Sequence, residues 1–188
     1  VQKAVNRIQS FEITNGLIQE ARRQGFQSIN IDLIYGLPYQ TQATFQQTLK
    51  QVISLKADRI SAFNYAHLPE RFKPQRRIAA ETLPSPEAKL AILGDIINTL
   101  QSGGYQYIGM DHFALPNDEL AIAQNNNQLH RNFQGYSSHT EYPLLGVGVS
   151  AISSVAGHYR QNERTLNEYY AALDGDQLPG WRGVQMNN

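Results

Sequence analysis

Apolar residues recur along this chain in two rhythms. The first alternates: Ile29, Ile31, Leu33 and Tyr35 fall on one face of a strand, and Asn30, Asp32 and Ile34 on the other. Gly36 and Pro38 end that strand. The second rhythm is helical. Phe45, Leu49, Val52 and Ile53 follow Thr41, a good cap, at i, i+4, i+7 and i+8. Val1, Val5 and Ile8 have helical spacing, and Ser10 can cap a helix with Ile13, Leu17 and Ala21 on one face and Gly25 past its end. Asp58 to Ala66 reads as a strand whose alternation is too poor to assign faces to Asn64 or Tyr65. An irregular segment, His67 to Pro84, precedes the strong helix start Ser85-Pro86-Glu87. Leu93, Ile96, Ile97 and Leu100 line that helix, and Gly103-Gly104 stop it. Tyr105 to Ile108 reads as a third strand and Leu144 to Ile152 as a short fourth. Asp118 to Gln124 is a short helix candidate, and Leu166, Tyr169, Tyr170 and Leu173 mark a last helix.

Strands alternating with helices predict an α/β fold, with a parallel sheet, right-handed βα units and outer helices. Three or four strands are too few for a closed eight-stranded barrel, which leaves a partial barrel or an open sheet. The 188 residues suit one domain or part of a larger one, and we expect residues 1–188 to form a single unit. The sequence starts inside a helical pattern and looks cut from something longer.

Composition then narrows the chemistry. Sixteen Lys and Arg balance sixteen Asp and Glu, so no global charge points to nucleic acid or an anionic membrane. No apolar run approaches the ~20 residues of a membrane helix, and no signal-peptide pattern opens the sequence. With no cysteine, thiol catalysis, disulfides and cysteine-ligated metal are excluded within these residues.

Asp32 stands at the centre of the candidate chemistry. A carboxylate in a strand that otherwise looks buried needs a partner or a wet cavity. Ligands gather at the carboxyl ends of parallel strands, so Asp32 either binds one or pairs with a structural arginine. Asp111-His112 looks like half a metal site, but no second histidine lies at ligand spacing, and a hydrogen-bonded turn explains it better. Gly146-Val147-Gly148-Val149-Ser150-Ala151 matches a dinucleotide fingerprint, yet Ile152 to Gly157 makes a poor helix. Those glycines fit better as a place where backbone approaches a ligand or a neighbouring strand. Arg71, Lys73, Arg76 and Arg77 form a basic cluster after a strand's carboxyl end, either a carboxylate-binding loop or a solvated one.

Several motifs together carry a resemblance. Asn30-Ile31-Asp32-Leu33-Ile34-Tyr35-Gly36-Leu37-Pro38 with Gln40-Thr41 resembles the radical S-adenosylmethionine enzymes of the coproporphyrinogen type. Phe63-Asn64-Tyr65-Ala66-His67-Leu68-Pro69, Gly109-Met110-Asp111-His112-Phe113-Ala114, Leu129-His130-Arg131-Asn132-Phe133-Gln134-Gly135-Tyr136 and Gly148-Val149-Ser150-Ala151-Ile152-Ser153 narrow it to the oxygen-independent coproporphyrinogen III oxidase (dehydrogenase) family. The resemblance covers essentially the whole chain. It implies the later part of a partial (β/α)6 barrel. It also implies S-adenosylmethionine and a 4Fe–4S cluster, held by three cysteines of a C-x-x-x-C-x-x-C loop, as cofactors. The family cleaves the cofactor reductively. The resulting radical abstracts hydrogen from a propionate, and loss of carbon dioxide and an electron leaves a vinyl group. Two propionates of coproporphyrinogen III react, giving protoporphyrinogen IX.

By position in those motifs, Arg7, Asp32, Ala66 and Ile152 are implied S-adenosylmethionine contacts, and Gln134 an active-site contact on the cofactor side. Arg131, with Arg71, Arg76 and Arg77, is a candidate for the substrate's carboxylates. The implied partners are coproporphyrinogen III and an electron donor, in the cytoplasm, with no nucleic acid and no membrane. The cluster loop, the glycine-rich cofactor motif that follows it in the family and the family's C-terminal region have no counterpart here, so the activity is expected of a longer protein. An unpaired sheet edge is then expected to favour self-association. A haem-binding, chaperone-like relative and a dinucleotide-dependent oxidoreductase built on Gly146 and Gly148 are the alternatives.

Overall fold

The computed structural model describes residues 1–138 and 142–186. The chain divides into two compact units, Val1–Ser138 and His139–Asn188. In the first, helix α1 (Phe11–Arg23) leads into strand β1 (Asn30–Tyr35), helix α2 (Gln42–Ser54) and strand β2 (Arg59–Asn64). Helix α3 (Pro86–Ser102), strands β3 (Gln106–Gly109) and β4 (His112–Ala114), helix α4 (Glu119–Asn125) and the hairpin β5 (His130–Asn132) and β6 (Gly135–Ser137) follow.

Local chemistry sets the helix ends. Ser10, Thr41, Ser85 and Asp118 each accept a backbone N–H of the helix they precede, and Thr41 and Thr44 form a reciprocal capping box. β1 pairs with β2 in parallel, as the crossover through α2 requires. The expectation of a wholly parallel sheet needs one correction. The sheet order is β1-β2-β4-β3, with β4 antiparallel to both neighbours. Met110 and Asp111 alone join β3 to β4, and so short a link can only close a hairpin. Gly109 at φ 144° and Met110 at φ 49° make that turn. The fold remains α/β, with α2 and α3 on one side of a mixed sheet.

Register separates the two sides of this sheet. Ile31, Leu33, Ile60, Ala62 and Phe113 face α2 and α3 and join Phe45, Leu49, Val52, Ile92, Ile96 and Leu100 in the main core. Tyr35 meets Phe45 edge-on at 6.4 Å between ring centres. On the other side, α4 packs Leu120 and Ala121 against Ile108 and Ala114. Arg59 holds α4 there, its guanidinium 2.8 Å from Asp118 and 2.7 Å from Glu119. Burial works against the Arg59 charge, and hydrogen bonds to the two carboxylates outweigh it, so its pKa is raised. Ion pairing of Arg22 with Asp58, which also accepts the Ile29 N–H, ties the end of α1 to the start of β2.

Two further expectations differ. Residues 2–6 form hydrogen-bonded turns in place of a helix, with Asn6 at φ 52°. In α1, Ile18 is the buried residue, while Ile13 and Leu17 are 66% and 67% exposed. α1 stands over a cavity beside β1, so its apolar stripe has little to pack on.

The second unit is an antiparallel sheet of β7 (Ile152–Val155), β8 (His158–Asn162) and β9 (Gly180–Gln185), with helix α5 (Leu166–Asp174) between β8 and β9. The fourth strand expected over Leu144 to Ile152 is reduced to a single bridge from Leu144 to Ser154. Positive φ at Gly148 and Ser150 turns the backbone away, and the strand begins at Ile152.

Candidate functional site

The side of the four-stranded sheet away from α2 and α3 carries the candidate site. Register places Asn30, Asp32 and Ile34 of β1 beside Arg59, Ser61 and Phe63 of β2, and Ser61 beside His112 of β4. Asp32, Ser61 and His112 thus form a row across three strands, spanning about 10 Å at the usual strand spacing. Asp32 is exposed and accepts a 2.6 Å hydrogen bond from Asn30 Nδ2, whose Oδ1 accepts from Ser61 at 3.2 Å. Among the described residues no arginine or lysine pairs with Asp32, so the structural ion pair is not what this carboxylate serves. Arg7 and Asp32 line one cavity of about 670 Å³, with Thr14, Leu17 and Ala21 of α1 as part of its wall. A flexible cation and a carboxylate on an apolar-walled cavity suit a small zwitterionic ligand.

His112 adds an aromatic neighbourhood that sequence spacing did not reveal. Phe63 lies edge-on to its ring at 6.0 Å and Tyr136 at 5.4 Å. The Arg131 guanidinium sits 5.8 Å over the Tyr136 ring. Gly109 makes room for this, because a Cβ there would collide with the Tyr136 hydroxyl. Burial lowers the His112 pKa; Asp111 and Asp32 work against that, while Arg131 and Arg59 add to it. The sign that could have found His112 was register: β4 sits next to β2, and its first residue points to the Asp32 side.

The other candidates are more scattered. Ala66 lies just past the carboxyl end of β2, exposed, its carbonyl accepting from Gln75 Nε2 at 3.1 Å. Gln134 is exposed in the two-residue turn between β5 and β6, where its N–H donates to Asn132 Oδ1 at 2.8 Å. Arg71, Lys73, Arg76 and Arg77 are exposed around a 3₁₀ turn, Lys73–Arg77, and none forms an ion pair with a described residue. Arg76 donates to the Pro69 carbonyl at 3.0 Å. Ile152 opens β7 in the second unit.

A second cavity of about 440 Å³ lies at the carboxyl ends of β1 and β2, lined by Tyr35, Asn64, Pro84, Pro86 and Lys89 among others. Lys89 Nζ donates there to the Tyr65 carbonyl at 3.3 Å. Register settles the face of Asn64, which lies beside Tyr35. The dinucleotide reading of Gly146 and Gly148 is not favoured, since a strand follows where a helix would have to open. Asn162 Nδ2 instead donates to both glycine carbonyls, at 3.2 and 2.9 Å. No three potential ligands cluster to hold a metal among the described residues, and no described helix is long and apolar enough to cross a membrane.

Comparison with known proteins agrees with the motifs. No family model matches the chain. It is 54% identical over 188 residues to the oxygen-independent coproporphyrinogen III oxidase of Pseudomonas aeruginosa, covering 100% of this chain and 41% of that protein. The protein of the same name from Escherichia coli is 53% identical over 186 residues, again with 41% of its length covered, and that of Helicobacter pylori J99 is 46% identical over 187. The solved structure of coproporphyrinogen III oxidase (HemN) from E. coli, described as a radical SAM enzyme, superimposes with a TM-score of 0.93 at 52% identity. That match covers 99% of this chain and 43% of the E. coli chain. The fold is therefore that of part of a radical SAM enzyme, and over the two-fifths of their length that it spans, the chain is a homologue of the oxygen-independent coproporphyrinogen III oxidases.

Proposed function

We propose that this chain is part of an oxygen-independent coproporphyrinogen III oxidase (dehydrogenase), converting two propionates of coproporphyrinogen III to vinyl groups. Residues 1–188 would then be one stretch of a single radical-SAM barrel. The observation that carries the reading is local: Arg7 and Asp32, singled out by motif, line the same cavity, and Asp32 has no ion-pair partner among the described residues. S-adenosylmethionine carries a carboxylate for a guanidinium fork, and an amino group, a sulfonium and ribose hydroxyls for a carboxylate. Those complementary groups fit this cavity. When bound, the cofactor supplies the hydrogen-abstracting chemistry, while the protein orients and shields.

Ala66 offers a backbone group for the adenine and Gln134 a side-chain amide, while Ile152, in the second unit, is a cofactor contact by motif position alone. Arg131, Arg71, Arg76 and Arg77 supply cations for substrate carboxylates. The 4Fe–4S cluster does not fit the residues present, since the chain has no cysteine, and its ligands would come from outside these 188 residues. An electron donor acting in the cytoplasm belongs to the same proposal. So does self-association of the isolated chain through β1, an edge strand of its sheet. A sedimentation experiment showing a monodisperse monomer at high concentration would remove that last element.

The test is made on the full-length protein that contains this chain, with its cluster reconstituted. Decarboxylation of coproporphyrinogen III that depends on S-adenosylmethionine is the expected result. Saturable haem binding without decarboxylation would replace this reading with the chaperone-like one.

A further inference from the structure

Among the described residues on the Asp32 side of the sheet, His112 stands out for ring nitrogens that make no described hydrogen bond. Its Nδ1 is buried and has no hydrogen-bond partner among the described residues. No described hydrogen bond uses its other ring nitrogen either. A buried polar atom left unmatched costs stability, so a residue kept in that state calls for an explanation. Its neighbours sharpen the question. Phe63 and Tyr136 flank the imidazole edge-on, giving it an apolar wall on two sides. Arg131, exposed, lies over the Tyr136 ring and is close enough for its charge to act on the imidazole. The half-buried imidazole is held toward its neutral form, so it brings one N–H donor and no charge of its own.

A neutral N–H donor beside an apolar wall, with a guanidinium next to it, is a receptor for a carboxylate attached to an apolar body. Asp32 sits two strands away, about 10 Å across the sheet, too far to fill that role and of the wrong sign. The row therefore has a cation-seeking end at Asp32 and a carboxylate-seeking end at His112 and Arg131. Two ligands lying side by side along it would meet between the two ends.

We infer that His112 is a substrate-binding residue: because Nδ1 is enclosed and faces no acceptor, the ring carries its N–H on Nε2, and Nε2 donates a hydrogen bond to one propionate carboxylate of the tetrapyrrole, with Arg131 as the nearby cation. The inference rests on the function proposed above and extends it to a residue that sequence spacing assigned to a turn. Phe63 and Tyr136 fix the orientation of the imidazole from two sides.

The experiment uses the full-length protein with its cluster, measuring separately the affinities for coproporphyrinogen III and S-adenosylmethionine and the thermal midpoint without ligand. His112→Phe preserves the flanking ring contacts and removes both nitrogens. Porphyrinogen binding should weaken about tenfold, S-adenosylmethionine binding should stay as it was, and the unliganded protein should be no less stable. His112→Gln, which restores an N–H near the outer ring nitrogen, should recover part of the affinity. If the Phe variant, or His112→Leu where Phe does not fold, binds both ligands as the wild type does, or loses both equally, the inference is overturned while the proposed function stands. If the wild type itself binds no porphyrinogen, both fall together.

Discussion

The two sides of one sheet do different work with the same backbone. Ile31, Leu33, Ile60, Ala62 and Phe113 point to α2 and α3 and are closed off by them. Asn30, Asp32, Ser61, Phe63 and His112 alternate with them along the same three strands and point the other way. The strand ladder supports both sets equally. What differs is the covering: one side meets two long amphipathic helices, while the other meets the short α4 near Ile108 and Ala114, Tyr136 of the β5–β6 hairpin at His112, and a cavity walled by α1 beside Asp32. Stability comes mainly from the closed side, through apolar area removed from water. The open side spends some of that stability on an unpaired carboxylate and an unmatched imidazole, the kind of local cost that marks a binding site.

The sharpest way to break the comparison is to damage the closed side. Ile60 has no exposed surface and sits between Ile31 and Phe113 in register. Ile60→Ala should cost about 2–5 kcal/mol in chemical denaturation. Affinity for S-adenosylmethionine in the protein that remains folded should hardly change, though Ser61 is the next residue. A variant that keeps its stability but loses the ligand would erase the distinction between the sides.

A weaker effect is expected from the basic loop, which belongs to neither side. Replacing Arg71, Lys73, Arg76 and Arg77 together with alanine should lower apparent affinity for the porphyrinogen several-fold at low salt and flatten its salt dependence. Stability should be almost untouched, since all four are exposed and none is ion-paired with a described residue. Unchanged affinity and salt dependence would leave the loop merely solvated.

The smallest effect is a pH dependence. Burial depresses the His112 pKa from its ordinary 6.5, against Asp111 and Asp32 and together with Arg131 and Arg59. The unfolded chain takes up a proton near 6.5 that the folded chain resists until lower pH. The stability His112 contributes in its neutral form is thus complete above that value and is lost as pH falls through it. Comparing wild type with His112→Phe in denaturation between pH 7.5 and pH 5, the wild type should lose more. Parallel curves would mean that His112 is not held neutral by its surroundings.

Much of the closed side was legible in the sequence. Alternation at Ile29 to Tyr35 and helical spacing at Phe45 to Ile53 are strong signals, because one side of each element is consistently more buried than the other. The caps at Thr41 and Ser85 were equally plain. The β3–β4 hairpin was not. Positive φ at Gly109 and Met110 lets two residues reverse the chain inside what reads as one motif, and that reversal brings His112 beside Ser61. β2 alternates poorly because its partners cover Ile60, Ser61 and Ala62 alike. The glycines at 146 and 148 looked like a phosphate loop and instead let Asn162 reach their carbonyls. In each case the missing information was long-range pairing, which spacing along the chain does not carry.

The central claim is that the open side holds the ligand, and Asp32→Asn tests it most directly. Asparagine keeps the shape and removes the charge and one acceptor. In the full-length protein, affinity for S-adenosylmethionine and thermal midpoint are measured on the same preparation. Affinity should fall about tenfold or more while the midpoint barely moves, since hydrogen bonds to a charged group are worth roughly 1.5–3 kcal/mol and Asp32 anchors no ion pair with a described residue. A clearly lower midpoint with normal affinity would contradict that claim.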